Sequence, residues 1–200
     1  MTDYFAVLGV PRRPWLDPDS LKQKFLVLSA EFHPDKSIGK ETKKRELQDR
    51  YTELNAAYRS LANPKDRLSH LILLQAGASA SELQNVPAQL MDLFMEVANL
   101  CNAADQFLAE KAAATSPLLR VSLFERSQKY SDGLVALRSK LRCGQEQLEK
   151  ALKDLDGEWQ SLADSKRDKL IPRAEEIRHL FGFYDRWINQ VQERFVRLAL

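Results

Sequence analysis

Cysteine is scarce in this chain of 200 residues: there are two, Cys101 and Cys143, far apart and without a CxxC pair. That argues against a disulfide framework or a cysteine-based zinc site, and it fits a reducing compartment. Histidine is nearly as rare, and His33, His70 and His179 make no plausible metal cluster, so no cofactor is expected. An excess of one charge is also missing. Thirty Lys and Arg against 28 Asp and Glu leave +2, which by itself argues neither for nor against a nucleic-acid partner. The one basic run, Lys40, Lys43, Lys44 and Arg45, has no interleaved aromatics and reads as a solvated helix start, so no nucleic acid is expected. No apolar run approaches the length of a membrane span, and no membrane partner is expected. The first ten residues lack both a basic-then-apolar leader and an Arg/Ser-rich transit pattern; with Met1 as the start, the expected place is the cytoplasm. There is no glycine loop that would cradle a phosphate and no local Ser-His-Asp or Cys-His spacing, so an enzyme is the least favoured reading. Strand-like alternation and a fixed-period repeat are absent too, which leaves an all-α chain.

What remains is a succession of helical stripes, long enough for one or two domains with a true core. Tyr4, Phe5 and Leu8 form a short apolar face ended by Gly9 and Pro11. Asp17-Pro18-Asp19-Ser20 reads as a helix start, with Asp17 as N-cap and Pro18 in the first turn. Leu21, Phe25, Leu28 and Phe32 follow at helical steps, and Leu47, Tyr51, Leu54, Tyr58 and Leu61 repeat them on a third helix over about residues 40–61. Two matched stripes joined by a short loop predict an antiparallel hairpin. Asn63-Pro64 stops the third helix, and a fourth runs to a Gly77 C-cap.

The small, polar stretch after Gly77 marks a boundary. Residues 1–77 are expected as one domain, 78–87 as a linker and 88–200 as a bundle of three long antiparallel helices. The first has the stripe Leu90, Leu93, Phe94, Val97, Leu100, Ala104, Phe107 and Leu108 and breaks at Thr115-Ser116-Pro117. The second runs from about Pro117 to Leu155, with Gly133 and Gly144 as weak points and Asp156-Gly157 as a candidate interruption. Pro172 opens the last.

At the tip of the predicted hairpin stands Phe32-His33-Pro34-Asp35-Lys36. Pro34 disfavours helical geometry at His33, so the second helix is expected to stop there. An imidazole, a rigid ring and a carboxylate on a corner held by a scaffold suit a docking site. Taken alone, a mere turn is about as good a reading; the surrounding hairpin favours docking.

Together, Tyr4-Phe5, Leu8-Gly9, the hairpin, His33-Pro34-Asp35-Lys36, Leu54-Asn55-Ala56-Ala57-Tyr58 and Asn63-Pro64 resemble a J-domain. Arg67-Leu68-Ser69-His70-Leu71, Leu74, Gly77 and Leu90-Met91 extend the resemblance to the HscB-type (Jac-type) co-chaperones of iron–sulfur cluster assembly, in which a J-domain precedes a three-helix bundle. The glycine-rich linker and β-rich client domain of general J-proteins do not follow here. The resemblance implies a protein that is not itself an ATPase but stimulates a DnaK/HscA-class chaperone. His33, Pro34 and Asp35 would dock, with Lys22, Lys24 and Lys36 placed to meet an acidic chaperone surface. It also implies that Leu90, Met91, Phe94 and Phe183 bind an IscU-like iron–sulfur cluster scaffold protein through an apolar patch.

Two departures stand out. The last turns of the second helix carry Leu26, Val27, Ser29, Ala30 and Glu31 where many J-domains are more basic. Met95 and Ala98 stand where the family places acids, leaving Asp92 and Glu96 nearby. The alternatives are therefore a J-domain adaptor for another client, or a helical interaction protein with weakened chaperone coupling. On residue pattern alone Leu90, Met91 and Phe94 suit a core as well as an interface. For the Phe181/Phe183 pair, at least one ring is expected to face out. The chain is expected as a monomer or weak dimer.

Overall fold

A computed structural model describes residues 2–32, 41–77, 86–114 and 117–199, without the side chains of 41–44 and 117–121. Every regular element among these is helical: α1 (Tyr4–Leu8), α2 (Pro18–Glu31), α3 (Glu41–Ala62), α4 (Pro64–Ala76), α5 (Met91–Ala113), α6 (Pro117–Ser161) and α7 (Ile171–Ala199), with 3-10 turns at Ala88–Leu90 and Asp164–Leu170. The chain divides into two compact units. One combines residues 1–81 with 150–179; the other combines 82–149 with 180–200. Residues 78–85 of the expected 78–87 linker lie outside the described residues. The stretch 150–179, expected with the bundle, groups with the N-terminal segment instead.

The first unit starts from caps that the sequence announces. Asp3 caps α1, its carboxylate accepting from the Phe5 N–H at 3.0 Å, and Gly9 ends it in the left-handed region at φ 60°. No side chain with a Cβ takes that conformation without strain. Asp17 caps α2 through the Ser20 N–H at 2.8 Å, and Asn63 caps α4 through the Asp66 N–H at 3.1 Å, each just before a proline at the helix start. These arrangements satisfy N–H groups that the first helical turn leaves without partners.

Antiparallel pairing of α2 and α3 is fixed by two contacts. Phe25 stacks on Tyr58 with centroids 4.2 Å apart, and the Arg50 guanidinium lies 5.5 Å from the Phe32 ring centre. One partner moves forward in sequence as the other moves back. Phe5, Leu8, Leu16, Leu21, Leu54, Ala57, Leu61 and Leu71 form the core, and Trp159 from the end of α6 completes it. Trp159 also donates from its indole to the Arg12 carbonyl at 3.2 Å. Beside it the buried Asp156 carboxylate receives both the Arg13 guanidinium and the Trp15 N–H, the latter at 3.2 Å. Buried Arg67 ties the α3–α4 corner by donating to the carbonyls of Pro14 and Leu61, each at 2.7 Å.

Residues 156 and 157 do not interrupt α6, which runs on to Ser161. Leu152, Leu155 and Trp159 are all buried, and Asp156 has its charge met, so the cost of one exposed glycine is outweighed.

The second unit is the bundle. Leu90 from the 3-10 turn, Val97, Cys101, Ala104 and Phe107 from α5, Leu134, Leu137 and Leu141 from α6, and Tyr184, Trp187 and Val191 from α7 share one core. Arg126 meets Glu110 and Lys140 meets Glu96, so α5 and α6 are antiparallel. Arg138 donates to Gln192 and Gln145 to Asp185, so α6 and α7 are antiparallel as well. Arg194 with Asp105, and Lys111 with the Leu198 carbonyl, make α5 and α7 parallel. Gly144 lets α6 and α7 approach closely: a Cβ there would meet the buried Tyr184 ring at 2.3 Å.

Candidate chaperone-docking and client-docking surfaces

α2 ends at Glu31, where the Phe32 N–H closes the last turn on the Leu28 carbonyl at 2.9 Å. This is the stop that Pro34 predicts. His33, Pro34, Asp35 and Lys36 themselves lie outside the described residues. What the structure places is the helix that leads to them. Its inner face packs Leu21, Phe25 and Leu28 in the core of the first unit. Of the two predicted docking lysines on α2, Lys22 is exposed, whereas Lys24 reaches back and donates to the Gly9 carbonyl at 3.0 Å. That bond holds the Lys24 ammonium near the end of α1, a constraint that sequence spacing gave no sign of.

The outward face of α2 is apolar for most of a turn. Leu26 is 53% exposed and Val27 68%. The two are adjacent in sequence, so they form one small continuous apolar patch on the helix. With Ala30 also exposed one turn on, this face offers a partner little charge and a modest apolar patch.

Helix α1 is locked to α4 by His70. Its Nε2 accepts the Tyr4 N–H at 3.0 Å, so the neutral ring carries its proton on Nδ1. Tyr4 and Phe5 stack on the imidazole at 4.5 and 5.7 Å. Burial holds its pKa below the ordinary histidine value, and nearby Arg12 adds to that; the Asp3 carboxylate, 4.0 Å away, opposes without prevailing. Burial also works to raise the Asp3 carboxyl, but the Arg12 guanidinium and the Ala6 and Phe5 N–H groups together bring it below its usual range.

In the bundle the four predicted client-binding residues divide. Leu90 and Phe183 are buried in the core, Phe94 is half-buried, and Met91 is 44% exposed. Met95, one turn beyond Met91, is 49% exposed. The expectation that Phe181 or Phe183 turns a ring outward does not hold, because both are buried. Phe183 packs on Trp187 at 5.7 Å, and Arg186 lays its guanidinium 5.5 Å from the ring centre, closing over the face that solvent would otherwise reach. Between α5 and α7 remains a cleft of about 150 Å³, walled by Phe94, Val97, Ala98, Phe183 and Trp187, with Arg186 and Gln190 at its lip. Phe94, Phe183 and the cleft are one site; Met91 adjoins it on the same face of α5. Trp187 and Arg186 were not singled out by the sequence. Their steps of three and four from Phe183 are the signal that finds them.

No group of three or more His, Cys, Asp or Glu side chains among the described residues is placed to hold a metal ion. No helix among them is long and apolar enough to cross a membrane.

Comparison with known proteins fits this geometry. The DnaJ domain family model matches residues 3–70. The Co-chaperone protein HscB of Proteus mirabilis is 32% identical over 85 residues, 42% of this chain and 49% of that protein. The Chaperone protein DnaJ of Campylobacter hominis is 34% identical over 70 residues, 35% of this chain and 18% of that one. These matched stretches thus span half or less of either relative. In fold the similarity reaches further. The structure of Chaperone HscB from Vibrio cholerae superposes with a TM-score of 0.63 at 22% identity, covering 96% of each chain. That of human co-chaperone protein HscB gives 0.59 at 19% identity, covering 98% of this chain and 81% of the other. Residues 3–70 therefore match the DnaJ domain, and the chain has the fold seen in the two HscB structures.

Proposed function

We propose that this protein is a co-chaperone of an Hsp70-class (DnaK/HscA-class) ATPase and that it delivers an IscU-like iron–sulfur cluster scaffold protein to it. The observation that carries the reading is the DnaJ domain over residues 3–70 in a chain whose whole fold is HscB-like. The antiparallel α2–α3 pair supports it, since such a pair is what presents the His33-Pro34-Asp35 corner. In this reading the chemistry belongs to the chaperone. The co-chaperone binds one conformation of its partner better than the other and so shifts the population toward hydrolysis. Asp35 offers a charge-assisted acceptor to a partner cation, Pro34 stiffens the corner, and Lys22 and Lys36 add positive charge. Lys24 contributes less than its position suggests, because its ammonium already serves the Gly9 carbonyl. The cleft and methionine face of α5 and α7 receive the scaffold protein.

The test is single-turnover ATP hydrolysis by the cognate chaperone. Added wild-type protein raises the rate, and His33→Gln abolishes the rise while leaving the helical circular dichroism unchanged. A wild-type chain that leaves the rate of every cognate chaperone untouched sinks the reading. A second reading, an adaptor for another client, is favoured by the exposed Met95 where the family carries acid. A pull-down that returns a different partner and no scaffold protein selects it.

A further inference from the structure

The cleft between α5 and α7 has a chemistry of its own. Its floor is aromatic and aliphatic, with Phe94 and Phe183 6.3 and 5.7 Å from Trp187. Its volume of about 150 Å³ suits one benzene-sized group, hence one Phe or Leu side chain. Beside it Met91 and Met95 stand in water, one turn apart. Methionine is the side chain that best adapts its shape to a partner's surface.

The charge at the lip is one-sided. Arg186 is exposed, rests on the Phe183 ring, and pairs with no carboxylate among the described residues. At about 100° per residue, Asp92 and Glu96 lie on the side of α5 opposite Phe94 and Ala98. Glu96 is moreover engaged by Lys140 of α6. On α7, Asp185 likewise turns away from the cleft and accepts from Gln145. Among the described residues, the cleft therefore meets a partner with one unpaired guanidinium and no facing carboxylate.

From this we infer that the cleft takes a protein segment in which one Phe- or Leu-sized side chain is flanked by acidic residues, and that Arg186 selects for the acid. The inference rests on the reading of this surface as the client site and adds the chemistry of the client. Arg186 fixes specificity in two ways: it attracts a carboxylate, and it leaves a basic segment with an unrelieved like charge at the lip.

Methyl-labelled methionine supplies the test, because the chain has three methionines and two of them, Met91 and Met95, are exposed on α5 within a turn of the cleft-lining Phe94 and Ala98. Two six-residue peptides with a central Leu-Phe, one flanked by Asp and Glu and the other by Lys and Arg, are titrated into the full chain. The acidic peptide should shift the Met91 and Met95 methyl resonances, with affinity about fivefold to tenfold above that of the basic one. Arg186→Glu should reverse the preference, and Arg186→Lys should largely keep it. Equal shifts from both peptides, no shifts from either, or a preference unmoved by Arg186→Glu would overturn the inference. The scaffold protein is titrated in parallel. If the acidic peptide binds and the scaffold does not, the client assignment falls and the cleft chemistry stands. If the scaffold binds Arg186→Glu as tightly as wild type, the assignment stands and the cleft chemistry falls.

Discussion

Protonating His70 removes an acceptor at the point where α1 is held. The ring accepts the Tyr4 N–H and lies stacked on Tyr4 and Phe5, so a second ring proton faces a donor and loses that bond. Its folded pKa is lowered, chiefly by burial. The neutral form is thus favoured by the fold, and its contribution to stability is complete above the unfolded value near 6.5 and is lost as pH falls below it. Asp3, whose folded pKa is also lowered, adds a second loss at lower pH, as its carboxylate is protonated. Urea midpoints measured from pH 7.5 to 5.0, above the range in which Asp3 titrates, should decline, and His70→Asn should flatten that decline. A profile that stays parallel to wild type would remove His70 from the account. Asp156 makes a second residue-scale case. It is buried and takes the Arg13 guanidinium and the Trp15 N–H. Asp156→Ala leaves the half-buried guanidinium and the Trp15 N–H without their acceptor and should cost about 1–3 kcal/mol in chemical denaturation, the range for polar groups that lose their partner.

The helices themselves were the legible part of the chain. Stripes such as Leu21, Phe25 and Leu28, caps such as Asp17 and Asn63, and the left-handed Gly77 all read directly from spacing and residue type, because each is a local matter. The interruption expected at Asp156-Gly157 did not read correctly, since its outcome turns on packing with residues more than a hundred positions away. The glycines of α6 turn the same lesson into a measurement. Gly157 is exposed, and a Cβ added there would have nothing within 4 Å, so Gly157→Ala should stabilise the protein by about 1 kcal/mol through helix propensity alone. Gly144 faces the Tyr184 ring, which a Cβ would meet at 2.3 Å, so Gly144→Ala should instead destabilise by about 1–3 kcal/mol as the ring is displaced from its packed position. Thermal melts of the two variants should move in opposite directions; a shift of the same sign in both would mean that α6 and α7 are not in such close contact. At the cleft between α5 and α7, helical spacing from Phe183 leads to Arg186 and Trp187, neither of which the sequence singled out. It did not tell which rings are covered, because exposure depends on the neighbouring helix.

At the scale of the molecule, the sequence suggested two consecutive domains, and the structure groups residues 150–179 with residues 1–81. A single tryptophan carries no periodic signature, so the place of Trp159 in the first core could not be read from its surroundings. Removing it tests the grouping. Trp159→Ala should cost about 3–5 kcal/mol, the range for a large aromatic truncated inside a core. A fragment ending at residue 81 lacks Trp159 and Asp156 altogether and should melt well below the full chain, with a broadened transition; a fragment as stable as the whole would show the grouping to be incidental. The same grouping has a bearing on birth at the ribosome. The residues that finish the first core follow residue 81 by another 78 positions. At about 5–20 residues per second, roughly 4–16 s separate the two events. Throughout that interval the nascent chain carries an N-terminal segment whose hydrophobic seat for an indole stands empty.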